Sequence, residues 1–280
     1  MNATYNIQPP DIDTLESRLF IILSLRGISF TILNPGNTFS SLATYDFPAN
    51  SDSDAVSNYI NELYQSEKIL HQSFKRTYII HAFAESLLVP GEFMNGNARK
   101  EDMLALVHGD DADRVIRNDF MPKLYTYNVY GIPSGILSML QSKFPSAVHT
   151  HRYSLLPETI KSAGDNLYCI FENGYITVML IKENQLQVIQ NYLYQSTGDV
   201  VYYLLNICQQ YNVDVKGVAL CISGLVRSDS SLVEEINVHF SNIILEHLPG
   251  NFSYDAEIAK LPSHYFSHLF SIAACVSSAE

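Results

Sequence analysis

The sequence has no tryptophan, few basic residues and no long apolar run, and each shortage removes a class of function. The longest uninterrupted apolar stretches, such as Leu19–Leu23 and Val218–Ile222, fall far below the roughly 20 residues that span a bilayer, so membrane insertion is not expected. Seventeen Lys and Arg face 29 Asp and Glu, a formal net charge of −12 that repels a phosphate backbone. No Lys/Arg cluster supplies a basic patch, so nucleic acid is not an expected partner. The first twenty residues, Met1 to Phe20, carry acids and the Pro9-Pro10 pair where a secretion signal has a basic start and an apolar stretch. The expected location is cytoplasmic. Only four cysteines occur (Cys169, Cys208, Cys221, Cys275), scattered through apolar stretches; they suit reduced core thiols better than a disulfide framework or a zinc site.

What is present is a globular balance, 47% apolar and 16% charged, in a chain of 280 residues that has room for one large domain or two lobes. Residues 1–15 form a polar arm. Strands are predicted at Arg18–Leu25, Gly27–Leu33 and Phe39–Phe47, the second alternating Ile28, Phe30 and Ile32 on one face, with Asn34-Pro35-Gly36-Asn37 as a turn. Asp52 or Ser53 caps a helix over 54–70, whose Val56, Ile60, Leu63 and Tyr64 share a stripe, and Thr77–Phe83 is a further strand. An inserted subdomain is expected over about 85–131. It holds an Asn95–Asn97 loop, a short helix at Lys100–His108 and strands near Arg114–Phe120 and Lys123–Tyr130. A helix at Ser134–Lys143 and a strand at Ala147–His151 complete a first lobe over 16–151, and a connecting helix, Leu155–Ser162, lies within 152–165. The second lobe, 166–280, repeats the pattern. Strands at Leu167–Phe171, Tyr175–Ile181 and Leu186–Leu193 precede a helix from Asp199 to about Tyr211, a strand Gly217–Ile222, a helix Ser230–Ser241, a strand Ile243–His247 and a closing helix, Ser263–Ser277.

An ungapped shift of 147 residues lays Leu23–Gln65 on Ile170–Asn212 with seven identities in 43 positions, among them Gly27 on Gly174, Asn37 on Asn184, Tyr45 on Tyr192 and Asp52 on Asp199. Identity at that level is weak. The coincidence of turns, strands and helix start at one offset is what suggests an internal repeat; two unrelated α/β halves with similar hairpins is the alternative. The expected class is therefore α/β, with duplicated βββαβαβα lobes.

Such a unit, with an insertion in the first half, a connecting helix and a closing helix, resembles the RNase H-like, actin-like ATPase fold, nearest its pilus-assembly and cell-division branch. The whole chain also resembles a Bacteroides family of uncharacterised proteins, domain of unknown function 3822. The resemblance implies that phosphates would sit at the hairpin turn of each half, where small residues let backbone N–H groups approach the anion and an Asp organises magnesium. Here those turns read Ser24-Leu25-Arg26-Gly27 and Phe171-Glu172-Asn173-Gly174. The glycines are present; the Asp and the Gly-Thr or Gly-Ser step are absent. Arg26 could contact a phosphate and Glu172 could organise a metal, or Arg26-Gly27 and Asn173-Gly174 are ordinary hairpin corners. Ser223-Gly224 stands where the family's adenosine-binding Gly pair would close over the base, with one glycine of the two.

Other constellations are thin. His149 and His151, two apart on a strand, share a face, and His264 and His268 stand four apart on the closing helix without a zincin glutamate; surface or core packing explains both pairs more simply than a metal. Tyr125 and Tyr127 read as sheet packing and Gly109–Asp113 as a solvated acidic loop. Three classes of function follow. The first is a scaffold or adaptor without turnover, binding a protein partner or itself through the subdomain at 85–131. The second binds ATP and magnesium with weak or no turnover, although no cofactor is expected, and the third is an atypical enzyme with a His-lined cleft between the lobes.

Overall fold

The computed structural model describes residues 3–9, 12–94, 96, 99–160 and 164–278. Asn95 and Asn97 of the expected loop, and the end of the expected connecting helix, lie outside these. The chain parts into two compact units. One runs to Leu155 and takes in Asn251–Ile258; the other holds Leu156–Gly250 and the chain from Ala259.

The first unit begins with strands β1 (Tyr5–Ile7), β2 (Arg18–Leu23), β3 (Gly27–Asn34) and β4 (Thr38–Asp46), helix α1 (Ser53–Ser66) and strand β5 (Arg76–His81). It continues through β6 (Ser86–Pro90), α2 (Gly91–Met94), α3 (Lys100–His108), β7 (Arg114–Met121), β8 (Thr126–Pro133), α4 (Ser134–Lys143), β9 (Val148–His151) and α5 (Arg152–Leu155). The second holds β10 (Asn166–Glu172), β11 (Tyr175–Lys182), β12 (Gln185–Leu193), α6 (Thr197–Gln210), β13 (Ala219–Gly224), α7 (Ser231–His239) and β14 (Asn242–Leu245). Strand β15 (Ser253–Tyr254) returns to the first unit, and α8 (Ala256–Ala259) leads to the closing helix α9 (Ser267–Ser278).

Alternation decides the sheets. In β3, Ile28, Phe30 and Ile32 turn to a core shared with Leu19, Ile21 and Leu23 of β2, Val56, Ile60 and Leu63 of α1, and Ile136 and Leu140 of α4. Burying one such side chain contributes roughly 1.5–3 kcal/mol. Asp52 starts α1 by accepting the Ala55 N–H at 2.8 Å. The resulting seven-stranded sheet runs β1-β4-β3-β2-β5-β9, with β15 also on β4; β2, β3 and β4 form an antiparallel meander, and β5 and β9 lie parallel to β2 and to each other in turn. A separate antiparallel sheet, β6-β8-β7, carries α2 and α3 as the inserted part.

The second unit repeats this order as β12-β11-β10-β13-β14, again a meander followed by two parallel strands. Its core sets Leu167, Cys169 and Phe171 against Val200, Leu204 and Ile207 of α6 and Val233 and Ile236 of α7. The same side-chain grammar thus yields the expected βββαβαβα pattern twice. No helix among the described residues is long and apolar enough to cross a membrane.

Several local expectations change. The connecting helix reduces to the single turn α5 and a 3-10 turn at Leu156–Thr159, because Pro157 lacks the N–H a continuing helix needs. Helix α1 stops at Ser66 rather than 70, with a 3-10 turn at Lys68–His71. The strand expected at Lys123–Tyr130 starts at Thr126, after a 3-10 turn that ends with Tyr125 in the left-handed region (φ 46°). Strands β1, β6 and β15 were not expected.

Candidate functional site

The first hairpin corner closes on itself. After Leu23↔Ile28, the last paired positions of β2 and β3, the Ser24 N–H donates to the Gly27 carbonyl at 3.0 Å and the Arg26 N–H donates to Ser24 Oγ at 3.1 Å. The Arg26 carbonyl accepts the Phe47 N–H at 2.9 Å. An amide that would have to point at an anion therefore already serves the turn. Gly27 is required by packing, since a Cβ there would lie 2.8 Å from the Tyr45 carbonyl oxygen on β4.

In the second unit the turn has the same length: Glu172 pairs with Tyr175 across Asn173-Gly174 as Ser24 meets Gly27 across Leu25-Arg26, and Gly174 takes φ +74°. The Thr177 hydroxyl lies 2.7 Å from Asn191 Oδ1 and 3.3 Å from Glu172 Oε2; the shorter bond takes its proton. Strand registers show that the 147-residue offset does not carry through these corners. Arg18↔Leu33 in one hairpin corresponds to Asn166↔Ile181 in the other, an offset of 148 on both strands (166 − 18 and 181 − 33), so Gly174 matches Arg26 and Gly27 matches Tyr175. The expected equivalence of Gly27 and Gly174 fails because the β3–β4 turn spans three residues, Pro35–Asn37, and its counterpart only two, Glu183 and Asn184. The pairing of Asp52 with Asp199 shifts too. Asp52 caps α1, whereas the cap of α6 is Ser196, and Asp199 is the third residue of a capping box that reaches back to the Ser196 N–H at 2.9 Å.

Parallel pairing of β10 with β13 sets Phe171 beside Gly224, so Glu172, Asn173, Gly174, Ser223 and Gly224 gather at one end of the five-stranded sheet. This is the carboxyl end of its parallel strands, the usual ligand side of an α/β sheet. Arg26 and Gly27 lie at the carboxyl end of β2 in the other unit. Gly224 has φ +99°, and a Cβ on it would fall 2.0 Å from the Phe171 carbonyl oxygen. Its N–H donates to the His264 carbonyl at 2.8 Å.

Ser223, only 1% exposed, is the centre of a polar knot that sequence reasoning missed. Its Oγ lies 2.7 Å from Ser267 Oγ and 2.8 Å from His268 Nδ1, and accepts the His268 N–H at 3.3 Å. Ser267 Oγ is 3.4 Å from Glu246 Oε2, the carboxylate just past β14. Burial pushes the Glu246 carboxyl up to about 7, opposed in part by that hydroxyl. His264 does not share the closing helix with His268: it precedes α9, and its Nε2–H donates to the Val226 carbonyl at 2.8 Å. No spacing motif announces this knot, since β13, the end of β14 and α9 supply it from separate parts of the chain.

The second polar cluster belongs to the first unit. His149 and His151 leave β9 on one face, as alternation requires, but His149 Nδ1 meets His81 Nε2 at 2.9 Å while His151 turns inward. The Nε2–H of His151 donates to the Phe83 carbonyl at 3.0 Å, and its Nδ1 accepts from Asn128 Nδ2 at 3.0 Å and the Tyr153 N–H at 3.1 Å. Burial, with the Arg117 charge, lowers His149 to about 4; burial lowers His151 to about 3, Arg152 adding to the effect and the bond to Phe83 opposing it. His81 is held well below its usual value by burial and by its histidine neighbours. Asp119 gathers Thr150 Oγ1, the His151 N–H, Ser154 Oγ and Tyr130 OH at 2.7–3.1 Å. Among the described residues no group of three or more His, Cys, Asp or Glu is placed to hold a metal ion.

Two solved structures define the class. The chain is similar to a protein of Bacteroides thetaiotaomicron VPI-5482 with actin-like ATPase fold and unknown function, 19% identical, covering 94% of this chain and 99% of that one with a TM-score of 0.75. It is also similar to a chain of the PilM-PilN type IV pilus biogenesis complex, 10% identical, covering 94% and 99% with a TM-score of 0.60. The fold is that of the actin-like ATPases. The family model described as protein of unknown function (DUF3822) matches residues 10–243, and the chain belongs to that family. A curated xanthine phosphoribosyltransferase of Ligilactobacillus salivarius (strain UCC118) is 20% identical over 180 residues, 63% of this chain and 91% of its own length, a likeness too low to assign an activity.

Proposed function

We infer that the protein is a scaffold or adaptor without ATP turnover, an actin-like pseudo-ATPase that binds a protein partner. The observation that carries this reading is the chemistry of the two corners. Phosphoryl transfer relies on backbone donors and carboxylate-held magnesium to stabilise charge, and losing that stabilisation costs several kcal/mol of barrier. Here the Arg26 N–H bonds to Ser24 Oγ, and each corner glycine has a reason internal to the fold. Glu172 stands at the second corner beside Thr177, and Asp46, paired with Gly27 at the first, accepts the Thr4 hydroxyl at 2.8 Å. This donor set fits magnesium and ATP poorly, so no catalytic step is derived through them.

Partner binding is supported by the subdomain. It exposes Phe93, Leu106, Val107, Phe120 and Tyr125, with Leu106 88% accessible at the surface of α3. The similarity to a chain of a two-protein pilus complex points the same way. Free cysteines throughout accord with a reducing, cytoplasmic setting.

Thermal-shift titration with ATP and magnesium tests the reading against nucleotide binding. A ligand that binds only the folded state at a hundred times its dissociation constant adds about 2.7 kcal/mol, a clear rise in Tm. The scaffold reading expects a flat titration; a saturable rise favours a nucleotide-binding protein.

A further inference from the structure

The sheet edges differ in how they are guarded against pairing with another chain. Strand β1 has three residues and β15 two, β9 and β14 have four each, β6 ends in Pro90, and β7 carries Arg114, Arg117 and Asp119. Short length, proline and charge are among the devices, with bulges, by which natural edges repel strand addition. Strand β12 lacks the first three: nine residues, Gln185–Leu193, without a charge or a proline. Its one irregularity is a bulge at Gln187, which the register skips between Leu186 and Val188.

Its counterpart shows what such an edge accepts. Strand β4 also has nine residues and a bulge, at Ser40, and its outer side pairs antiparallel with β1 through Leu42, Ala43 and Thr44. Strand β12 is the last in its sheet among the described residues. We propose that β12 pairs antiparallel with β12 of a second copy of this chain, across a two-fold axis perpendicular to the sheet, joining the two five-stranded sheets edge to edge.

Charge argues for a second copy as occupant. Two chains of net charge −12 repel, so they must meet along a stretch that brings no like charges together, and β12 is such a stretch. The regular run after the bulge is also self-complementary. Antiparallel pairing about a two-fold sets residues of equal parity opposite each other. Centred on the exposed Gln190, it puts Gln190 against its own mate and Val188 of one copy against Tyr192 of the other, a favourable branched–aromatic pair. This inference deepens the reading of the chain as an interaction protein. ATP turnover would remove that reading and leave the edge pairing untouched.

Sedimentation velocity on the full chain tests it, with Gln190→Lys and Gln190→Glu beside the wild type. The wild type is expected to be a dimer that dissociates on dilution; each variant, placing two like charges side by side, loses the dimer while its circular dichroism is unchanged. An equal mixture of the two variants regains the dimer, because Lys then faces Glu. A wild type that stays monomeric across the micromolar range, a dimer indifferent to both substitutions, or a mixture that fails to recover would each overturn the proposal.

Discussion

At Gly224 a sequence motif and a packing requirement coincide. The position resembles half of a nucleotide-closing glycine pair, yet its positive φ and the Phe171 carbonyl 2.0 Å from a built Cβ make glycine obligatory for β13 to lie beside β10. Gly224→Ala should cost about 3 kcal/mol or more in chemical denaturation, whereas Gly36→Ala, equally left-handed at φ +82° but with open space around it, should cost about 1–2 kcal/mol. Two titrating groups give opposite pH signatures. His149 holds its proton up to about pH 6.5 when unfolded but only below about 4 when folded, so the unfolded chain binds more protons in that window and stability falls as pH drops through it. Glu246 is reversed: folded it keeps its proton to about 7, unfolded only to 4.5, so its contribution is present below 4.5 and lost as pH rises through 7. Urea titrations at stepped pH should show Glu246→Gln gaining on the wild type above pH 7, and His149→Gln losing part of the acid sensitivity between 6.5 and 4.

Asp119 works between elements. From β7 it accepts the His151 N–H, Thr150 Oγ1 and Ser154 Oγ, fastening the inserted sheet to the edge strand β9 and to α5. Asp119→Ala strands these three donors and the Tyr130 hydroxyl and should cost about 3 kcal/mol, with hydrogen exchange rising first at His151 and in the adjoining α5. Helix α6 should lose about 1 kcal/mol with Ser196→Ala, since Ser196 and Asp199 cap it reciprocally. Elements with a strong period were legible in the sequence: β3 differs from its expected span by the one residue Asn34, and β12 by Gln185. Strands β1 and β15 were not, because two or three residues carry no period and their pairing is decided by β4, far away in sequence. The corner residues were found but misaligned, as a turn shorter by one residue is invisible to an ungapped comparison. The Ser223–Ser267–His268–Glu246 knot was illegible except for Ser223, since only folding brings β13, β14 and α9 together.

For the whole molecule, an actin-like fold and an ATPase are separate claims. Hydrophobic alternation and helix capping specify the two sheets; the chemistry of a nucleotide enzyme depends on a few corner residues, and here these make turns and close packing. Phosphate release by the purified protein with ATP and magnesium is the most direct measurement of that separation. The account predicts release no faster than from buffer alone and unchanged in Glu172→Ala; magnesium-dependent release that Glu172→Ala abolishes would contradict it.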